Sequence, residues 1–190
     1  MVKMSNVKRS MITAVCIALC VVLPMAFHSI QNGGSIFCPM HIPVLLCGLI
    51  CGAPFGVLCG IAGPVLSSLL TGMPPVPYLP SMIVELACYG LIAGLMMRTV
   101  HTKKVYADLY ISLVTAMLGG RIIAGITKAL IFAAGKYSIA AWASGYFATA
   151  MPGIVIQLAL IPTIVFALEK ARLIPARYPK AASVPAKASN

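Results

Sequence analysis

The chain has 190 residues, of which 61% are hydrophobic and only 9% charged, and its net charge at pH 7 is +11. A soluble domain carries roughly a quarter of its residues as charged side chains, so this composition excludes a soluble globular protein and indicates one embedded in a lipid bilayer. The positive charge does not indicate nucleic-acid binding, because the basic residues cluster at the chain ends and in one central loop, without interleaved aromatic and polar residues.

Six apolar blocks along the chain predict six membrane-spanning helices. The second block is short for a crossing at about 1.5 Å rise per residue, so we expect it to be tilted or extended by its neighbours. The sequence therefore predicts an all-α integral membrane protein, a six-transmembrane-helix bundle over residues 1–173. The blocks are Ser10–Phe27, His41–Gly52, Phe55–Leu70, Met82–Met97, Tyr106–Ala134 and Gly145–Leu168.

The placement of basic residues predicts the orientation of the bundle. An even number of crossings puts both termini on one side, and cytoplasmic loops of membrane proteins are enriched in Lys and Arg. We therefore expect both termini in the cytoplasm of a multi-pass cell-membrane protein, with residues 174–190, rich in Ala, Pro and Lys, as a disordered cytoplasmic tail. The basic residues on that side are Lys3, Lys8, Arg9, Arg98, Lys103, Lys104, Lys170, Arg172, Arg177, Lys180 and Lys187, against Lys136 in the loops of the other side.

Two outer connections have unusual composition. Residues 28–40 are rich in Gly, Asn and Ser, and residues 71–81 carry four prolines, so neither is expected to be regular helix. Irregular backbone near membrane depth is tolerated mainly where it is buried in protein or faces a cavity. Both loops are either ordinary surface connections or part of a binding site. Six of the seven cysteines lie inside apolar runs, where they are expected to pack, and Cys38 in the first loop is a candidate reactive thiol.

Ionisable residues inside the predicted helices are the main functional candidates, because they are costly in a bilayer and usually face the bundle interior. Glu85 lies near the outer end of the fourth block, and Arg121 and Lys128 are seven residues apart, on one face of the fifth. Glu85 and Arg121 form either a structural ion pair or part of a binding site. Two cations against one carboxylate favour a substrate that carries a carboxylate or phosphate.

Smaller polar groups are placed to contribute to the same site. Tyr89 follows Glu85 by four residues and shares its helix face. Gln157 in the sixth block is expected to form either a helix–helix hydrogen bond or a ligand contact. Asn32 and His41 come from the first outer loop, whereas the aromatic residues Trp142 and Tyr146 are expected to be interfacial anchors.

Enzyme signatures are absent from the sequence. It contains no phosphate-binding Gly-Lys-Ser/Thr loop, no HExxH and no recognisable Ser-His-Asp set. Its three scattered histidines do not form a metal site, and Glu85 is the one acid well inside the predicted bilayer. We therefore expect a protein that is not an enzyme and that needs neither a metal nor another cofactor.

Small residues four apart let two helices approach closely. Ala14 and Ala18 form such a pair in the first block. The same pattern recurs at Gly56/Gly60 and Gly90/Gly94, so at least one pair is expected to serve internal packing.

The central segments carry a family resemblance. The runs HIPVLLCGLICGAPFGVLCGIAGPVLSSLLTGMPP, VELACYGLIAGL and GGRIIAG resemble the S components, the substrate-binding membrane subunits, of energy-coupling-factor (ECF) vitamin transporters, and look most like the pantothenate-type group. The resemblance spans roughly residues 10–170. It implies a six-helix bundle that captures a vitamin from outside and pairs with a transmembrane coupling subunit and, through it, with two cytoplasmic ATPases.

The resemblance also implies roles for particular residues. The AxxxA pattern of the first helix, here Ala14 and Ala18, would contact the coupling subunit. The binding site would combine the outer loops with the outward halves of the last three helices, which carry Glu85, Tyr89, Arg121, Lys128 and Gln157.

The substrate and two other classes of function stay open at this point. Pantothenate suits Arg121 and Lys128, and folate, cobalamin, a pyridoxine-like compound and a queuosine precursor are alternatives. A stand-alone proton-coupled carrier would take up its substrate without an ATPase partner. A membrane-embedded assembly factor would show no saturable binding of a small molecule.

Overall fold

A computed structural model describes residues 4–27, 30, 33–132 and 138–178, and all structural statements below concern these residues. Within these ranges the chain is helical and contains no strand, which confirms the predicted all-α class. The helices are α1 (Asn6–Ala26), α2 (Gly33–Phe37), α3 (His41–Cys51), α4 (Ala53–Thr71), α5 (Leu79–Thr99), α6 (Val105–Thr127), α7 (Ile139–Ala143) and α8 (Met151–Lys170), with π-helical segments at Lys128–Phe132 and Ser144–Thr149.

Among the described residues, six helical stretches are long and apolar enough to cross a membrane, which confirms the predicted six-helix architecture. Large apolar side chains cover the outside of the bundle: Met11, Leu69 and Val155 are each more than half exposed. Such an exterior is stable where lipid, not water, surrounds it. The protein is therefore a multi-pass membrane protein.

The second crossing is built from two helices. Together α2 and α3 supply a 19-residue stretch, Gly33–Cys51, so the short apolar block is extended by its preceding neighbour, as expected. This differs from the loop predicted over residues 28–40, because Gly33–Phe37 is helical. α3 is the most enclosed of the crossings and packs against α1, α4, α5 and α8. It therefore forms the centre of the bundle and carries its first residue, His41, into the interior.

Proline and glycine set the ends of several helices. Proline lies in the first turn of α4, α5 and α8, where its missing N–H is not needed by the helix. Gly72 ends α4 in the left-handed conformation, with φ +72°. The irregular segment after it is shorter than the predicted 71–81, because α5 already begins at Leu79.

Helices α4 and α5 are in backbone contact through glycine. A Cβ atom added to Gly90 would lie 2.2 Å from the carbonyl oxygen of Gly56, and one added to Gly60 would lie 2.5 Å from the carbonyl of Leu86. No side chain fits at these distances. The prediction that at least one of the small-residue pairs serves internal packing is thus confirmed.

The two ends of the bundle differ in character. We call the end formed by residues 4–9, 98–105 and 169–178 the terminal end, and the end formed by residues 33–41, 71–79 and 138–151 the loop end. At the terminal end, Ile174 and Arg177 are buried, so residues 174–178 pack on the bundle although they belong to the segment predicted to be a disordered tail. Ile174 belongs to the apolar core, and Arg177 forms an ion pair that is described below.

The cysteines pack as the sequence predicts. All seven are free, and all but Cys88 are buried. Cys38, the candidate reactive thiol, is buried at the loop end, where its Sγ lies 3.3 Å from the carbonyl oxygen of Ser35, to which it donates.

Candidate functional site

A carboxylate that is 13% exposed lies between two ring side chains near the loop end. Glu85 Oε1 accepts a hydrogen bond from the Tyr89 hydroxyl at 3.1 Å and lies 3.2 Å from His41 Nε2. The His41 and Tyr89 rings are themselves in contact, with centroids 5.1 Å apart. Glu85 and Tyr89 meet because they are one turn apart on α5, and His41 joins them because it begins the central helix α3. The predicted site residues His41, Glu85 and Tyr89 are therefore brought together.

Arg121 on α6 lies in the same neighbourhood. It is 2% exposed, and its charge acts on both Tyr89 and Cys38, as does that of Glu85. The guanidinium lies 5.6 Å from the centroid of the Phe147 ring, a cation–π arrangement. Its Nε atom is buried and has no hydrogen-bond partner among the described residues.

The structural Glu85–Arg121 ion pair considered from the sequence is not among the ion pairs of the described residues. Glu85 Oε1 is instead within hydrogen-bond distance of His41 Nε2, at 3.2 Å. The reason is the position of α3, which packs on both α5 and α6 and places its first side chain beside the carboxylate. Arg121 is therefore a buried cation whose side chain is held by an aromatic ring rather than by a carboxylate.

Gln157 closes the group from α8. Its side chain is fully buried, and Nε2 donates to the carbonyl oxygen of Cys38 at 3.5 Å. α8 lies close to this segment, since a Cβ on Gly153 would meet the Phe37 carbonyl oxygen at 2.7 Å. The amide therefore bonds the end of the α2 segment rather than a neighbouring helix, and its Oε1 atom is buried without a partner among the described residues.

Three buried polar atoms of this group thus lack a hydrogen-bond partner within the described part of the chain: His41 Nδ1, Arg121 Nε and Gln157 Oε1. A buried polar atom left unsatisfied costs about 1–3 kcal/mol, and native proteins contain few of them. The three offer one cationic donor, one amide acceptor and one imidazole nitrogen that either donates or accepts, according to its protonation. Such a set is suited to hold a small polar molecule that carries an anionic group.

Of the remaining predicted residues, one follows the end of α6, one lies outside the described ranges and two lie on α1. Lys128 is half-buried and is the first residue of the π-helical segment after α6. The prediction that it shares a face with Arg121 assumed a regular α-helix, which ends one residue before Lys128. Asn32 lies outside the described residues. Ala14 and Ala18 are exposed on α1, on the side opposite the buried Cys16 and Cys20.

Two aromatic residues near Arg121 take part in the site in ways the sequence did not predict. Trp142 Nε1 donates to the Arg121 carbonyl oxygen at 3.1 Å, and its indole fills the space beside Gly125. Trp142 also packs edge-on against Phe147, with centroids 5.3 Å apart. Trp142 was expected to be an interfacial anchor; the structure shows in addition that it packs against α6. Trp142 and Phe147 are five residues apart, a spacing that suits the i to i+5 hydrogen bonds of the π-helical segment at Ser144–Thr149. No sequence pattern indicated this π-helical segment.

Two comparisons with known proteins bear on the family of this chain. A search of the curated proteins found no match. The family model described as "ECF transporter, substrate-specific component" matches residues 8–165, most of the chain and every described helix except the first two residues of α1 and the end of α8. The chain therefore belongs to the substrate-specific components of ECF transporters, membrane subunits that bind the transported substrate.

Proposed function

We propose that this protein is the high-affinity capture subunit for a water-soluble vitamin or related micronutrient, and that the substrate binds at the His41–Glu85–Arg121–Gln157 group. The observation that carries the proposal is the set of three unpartnered polar atoms on three different helices, all buried near one end of the bundle. Ligand pockets typically combine apolar walls with a few placed polar groups of this kind.

The proposed substrate is anionic, with pantothenate as the first candidate. Arg121 supplies a buried cation without a carboxylate partner among the described ion pairs, and a carboxylate group of a ligand is its natural complement. Gln157 and His41 are suited to bind hydroxyl or amide groups of the same molecule. Folate, cobalamin, pyridoxine and a queuosine precursor are the alternatives that a binding panel separates from it.

The proposed orientation puts the terminal end in the cytoplasm and the loop end outside. The Lys and Arg residues of the chain ends and of the α5–α6 connection support it, since cytoplasmic loops carry such an excess. In this orientation, in the cytoplasmic membrane, the candidate site lies nearer the side from which a nutrient arrives.

The proposed partner is the transmembrane coupling subunit, which links the protein to two cytoplasmic ATPases. Its contact face on this chain is the exposed side of α1, where Ala14 and Ala18 lie next to Met11 and Val15, which are 66% and 60% exposed. The two small side chains leave a shallow groove in an apolar surface, suited to close approach by another helix.

The single tryptophan of the chain provides the binding test. Trp142 is hydrogen-bonded to the Arg121 carbonyl, so an anion that binds Arg121 changes the surroundings of the indole. We expect a saturable change in tryptophan fluorescence with one member of a vitamin panel titrated into the detergent-purified protein. If no member of the panel changes the emission and none binds by calorimetry, the capture role is refuted.

A proton-coupled carrier is the second candidate function, favoured by the buried His41–Glu85 pair. Two titratable groups in contact inside a membrane protein are typical of a proton pathway. Uptake by cells that express this chain, with and without the coupling subunit and ATPases, separates the two functions. The capture role requires uptake only with the complete set of subunits, whereas a carrier takes up substrate alone and stops when an ionophore collapses the proton gradient.

A further inference from the structure

The terminal end contains a second buried charge cluster, remote from the substrate site. The Arg177 side chain is 4% exposed, and its Nε donates to Asp108 Oδ2 at 2.5 Å. The fully buried Asp108 also accepts from the Tyr178 hydroxyl at 2.6 Å, and Arg177 Nη2 donates to the Val100 carbonyl oxygen. These bonds fix the segment after α8 onto the connection between α5 and α6.

Two guanidinium nitrogens at this end have no partner among the described residues. Arg177 Nη1 and Arg9 Nε are both buried, and both arginines border one cavity of about 60 Å³ between the start of α1 and the ends of α3 and α8. The cavity is too small for a vitamin, since sites for such ligands measure about 300–1,000 Å³. It is suited to a single compact anionic group that accepts hydrogen bonds from both arginines.

The cavity adjoins a wider cleft that is open at the protein surface. The cleft, about 580 Å³ in volume, shares Glu169 and residues 174–176 with the cavity and adds Lys8, Lys170 and Arg172 to its wall. Glu169 is the one carboxylate among the residues that border it, and one of its oxygens accepts from the Arg177 backbone N–H at 3.2 Å. The described walls of the two spaces therefore carry a clear excess of positive charge.

The position of the cleft indicates what kind of anion reaches it. Val7 and Leu173, which are 71% and 55% exposed, flank it with apolar surface that continues along α1 into the membrane-spanning face. A ligand with one anionic group and long apolar chains satisfies both surfaces. Basic pockets between the ends of transmembrane helices are a recurrent site for anionic lipid head groups.

We propose that this cleft binds the phosphate group of an anionic phospholipid, with phosphate oxygens accepting hydrogen bonds from Arg9 Nε and Arg177 Nη1. Lys8, Lys170 and Arg172 surround the rest of the head group, and the acyl chains lie against the apolar surface at Val7 and Leu173. The bound lipid joins the first helix to the segment after the last one. The site uses none of the substrate-binding residues, so its test requires no substrate.

The test measures thermal unfolding of the protein in phosphatidylcholine nanodiscs that contain increasing fractions of phosphatidylglycerol. We expect the unfolding midpoint to rise with phosphatidylglycerol and to saturate. In Arg9→Gln the fraction needed for half the rise should increase about five- to tenfold, because one guanidinium contact to the head group is lost. Arg9 is the residue to change, because replacing Arg177 would leave the buried Asp108 without its ion pair.

Lys104→Gln is the matched control, since it removes one positive charge from the same end at an exposed position outside both spaces. If phosphatidylglycerol acted through the surface charge alone, its effect on the unfolding midpoint would weaken equally in both variants, and that result would overturn the proposal. A second arm adds inorganic phosphate to pure phosphatidylcholine nanodiscs. If free phosphate saturates the whole rise and phosphatidylglycerol adds nothing, the site is for a soluble anion and the lipid assignment is wrong. No rise in the wild type with phosphatidylglycerol also refutes it.

Discussion

Replacement of Arg121 by methionine separates a ligand-binding cation from a structural one. Methionine has a similar length without the charge or the donors. The Nε–H has no partner among the described residues, so a carboxylate substrate that accepts from it gains a charge-assisted hydrogen bond worth about 1.5–3 kcal/mol. Its loss should weaken binding about ten- to 150-fold.

The same substitution should leave the substrate-free protein nearly as stable as the wild type. Removing the guanidinium forfeits the contact with the Phe147 ring, worth about 0.5–2 kcal/mol, and relieves an unsatisfied buried donor, worth about 1–3 kcal/mol. The two terms are opposite in sign and similar in size. An ordinary structural arginine would instead lower the unfolding midpoint when replaced.

Isothermal titration calorimetry is the suitable assay, because Trp142 is bonded to the Arg121 backbone and its fluorescence is altered by changes at this position. Arg98→Met, which removes an exposed cation at the terminal end of α5, is the matched control and should bind as the wild type does. If Arg121→Met retains affinity within about threefold of the wild type, Arg121 does not contact the substrate and the reasoning from its unpartnered Nε fails.

Three further changes test other parts of the account. Gly90→Ala should destabilise the bundle by about 1–3 kcal/mol or more, because its Cβ would meet the Gly56 carbonyl oxygen at 2.2 Å. Gly145→Ala is the control and should not destabilise it, because no atom lies within 4 Å of the added Cβ. Equal thermal unfolding midpoints for the two variants would contradict the packing argument. Ala14→Leu should spare substrate binding and block uptake in cells with the complete transporter, while Ala14→Ser retains uptake; loss of binding in the leucine variant would show that α1 shapes the site. Glu85→Ala removes the carboxylate that contacts His41 and Tyr89, so we expect it to lower both the unfolding midpoint and the affinity for substrate. Each of these two groups left unsatisfied should cost about 1–3 kcal/mol of stability. An unchanged midpoint would show that its neighbours do not need the carboxylate.

The elements that the sequence predicted well are those set by local pattern. Long apolar blocks bounded by Pro, Gly and basic residues predicted six crossings, because in lipid the helix is the one way a single segment satisfies its backbone. Glu85 and Tyr89 were placed on one face by their four-residue spacing, and their hydrogen bond follows from it.

The parts that the sequence did not predict depend on contacts between distant segments. His41 reaches Glu85 across 44 residues, and that pairing displaced the expected partner, Arg121. Arg177 meets Asp108 across 69 residues, so the start of a segment that reads as low-complexity tail is fixed to the bundle. No local periodicity encodes such pairings, since they depend on which helix occupies the centre.

The central claim is that the loop-end polar group holds a small molecule, and native mass spectrometry of the detergent-purified protein tests it most directly. The wild type, prepared from cells grown in rich medium, should retain a ligand whose mass matches a vitamin or related micronutrient, and Arg121→Met prepared in the same way should not. A ligand-free mass for the wild type that persists after titration with the vitamin panel, or the same retained mass in both proteins, would contradict the account.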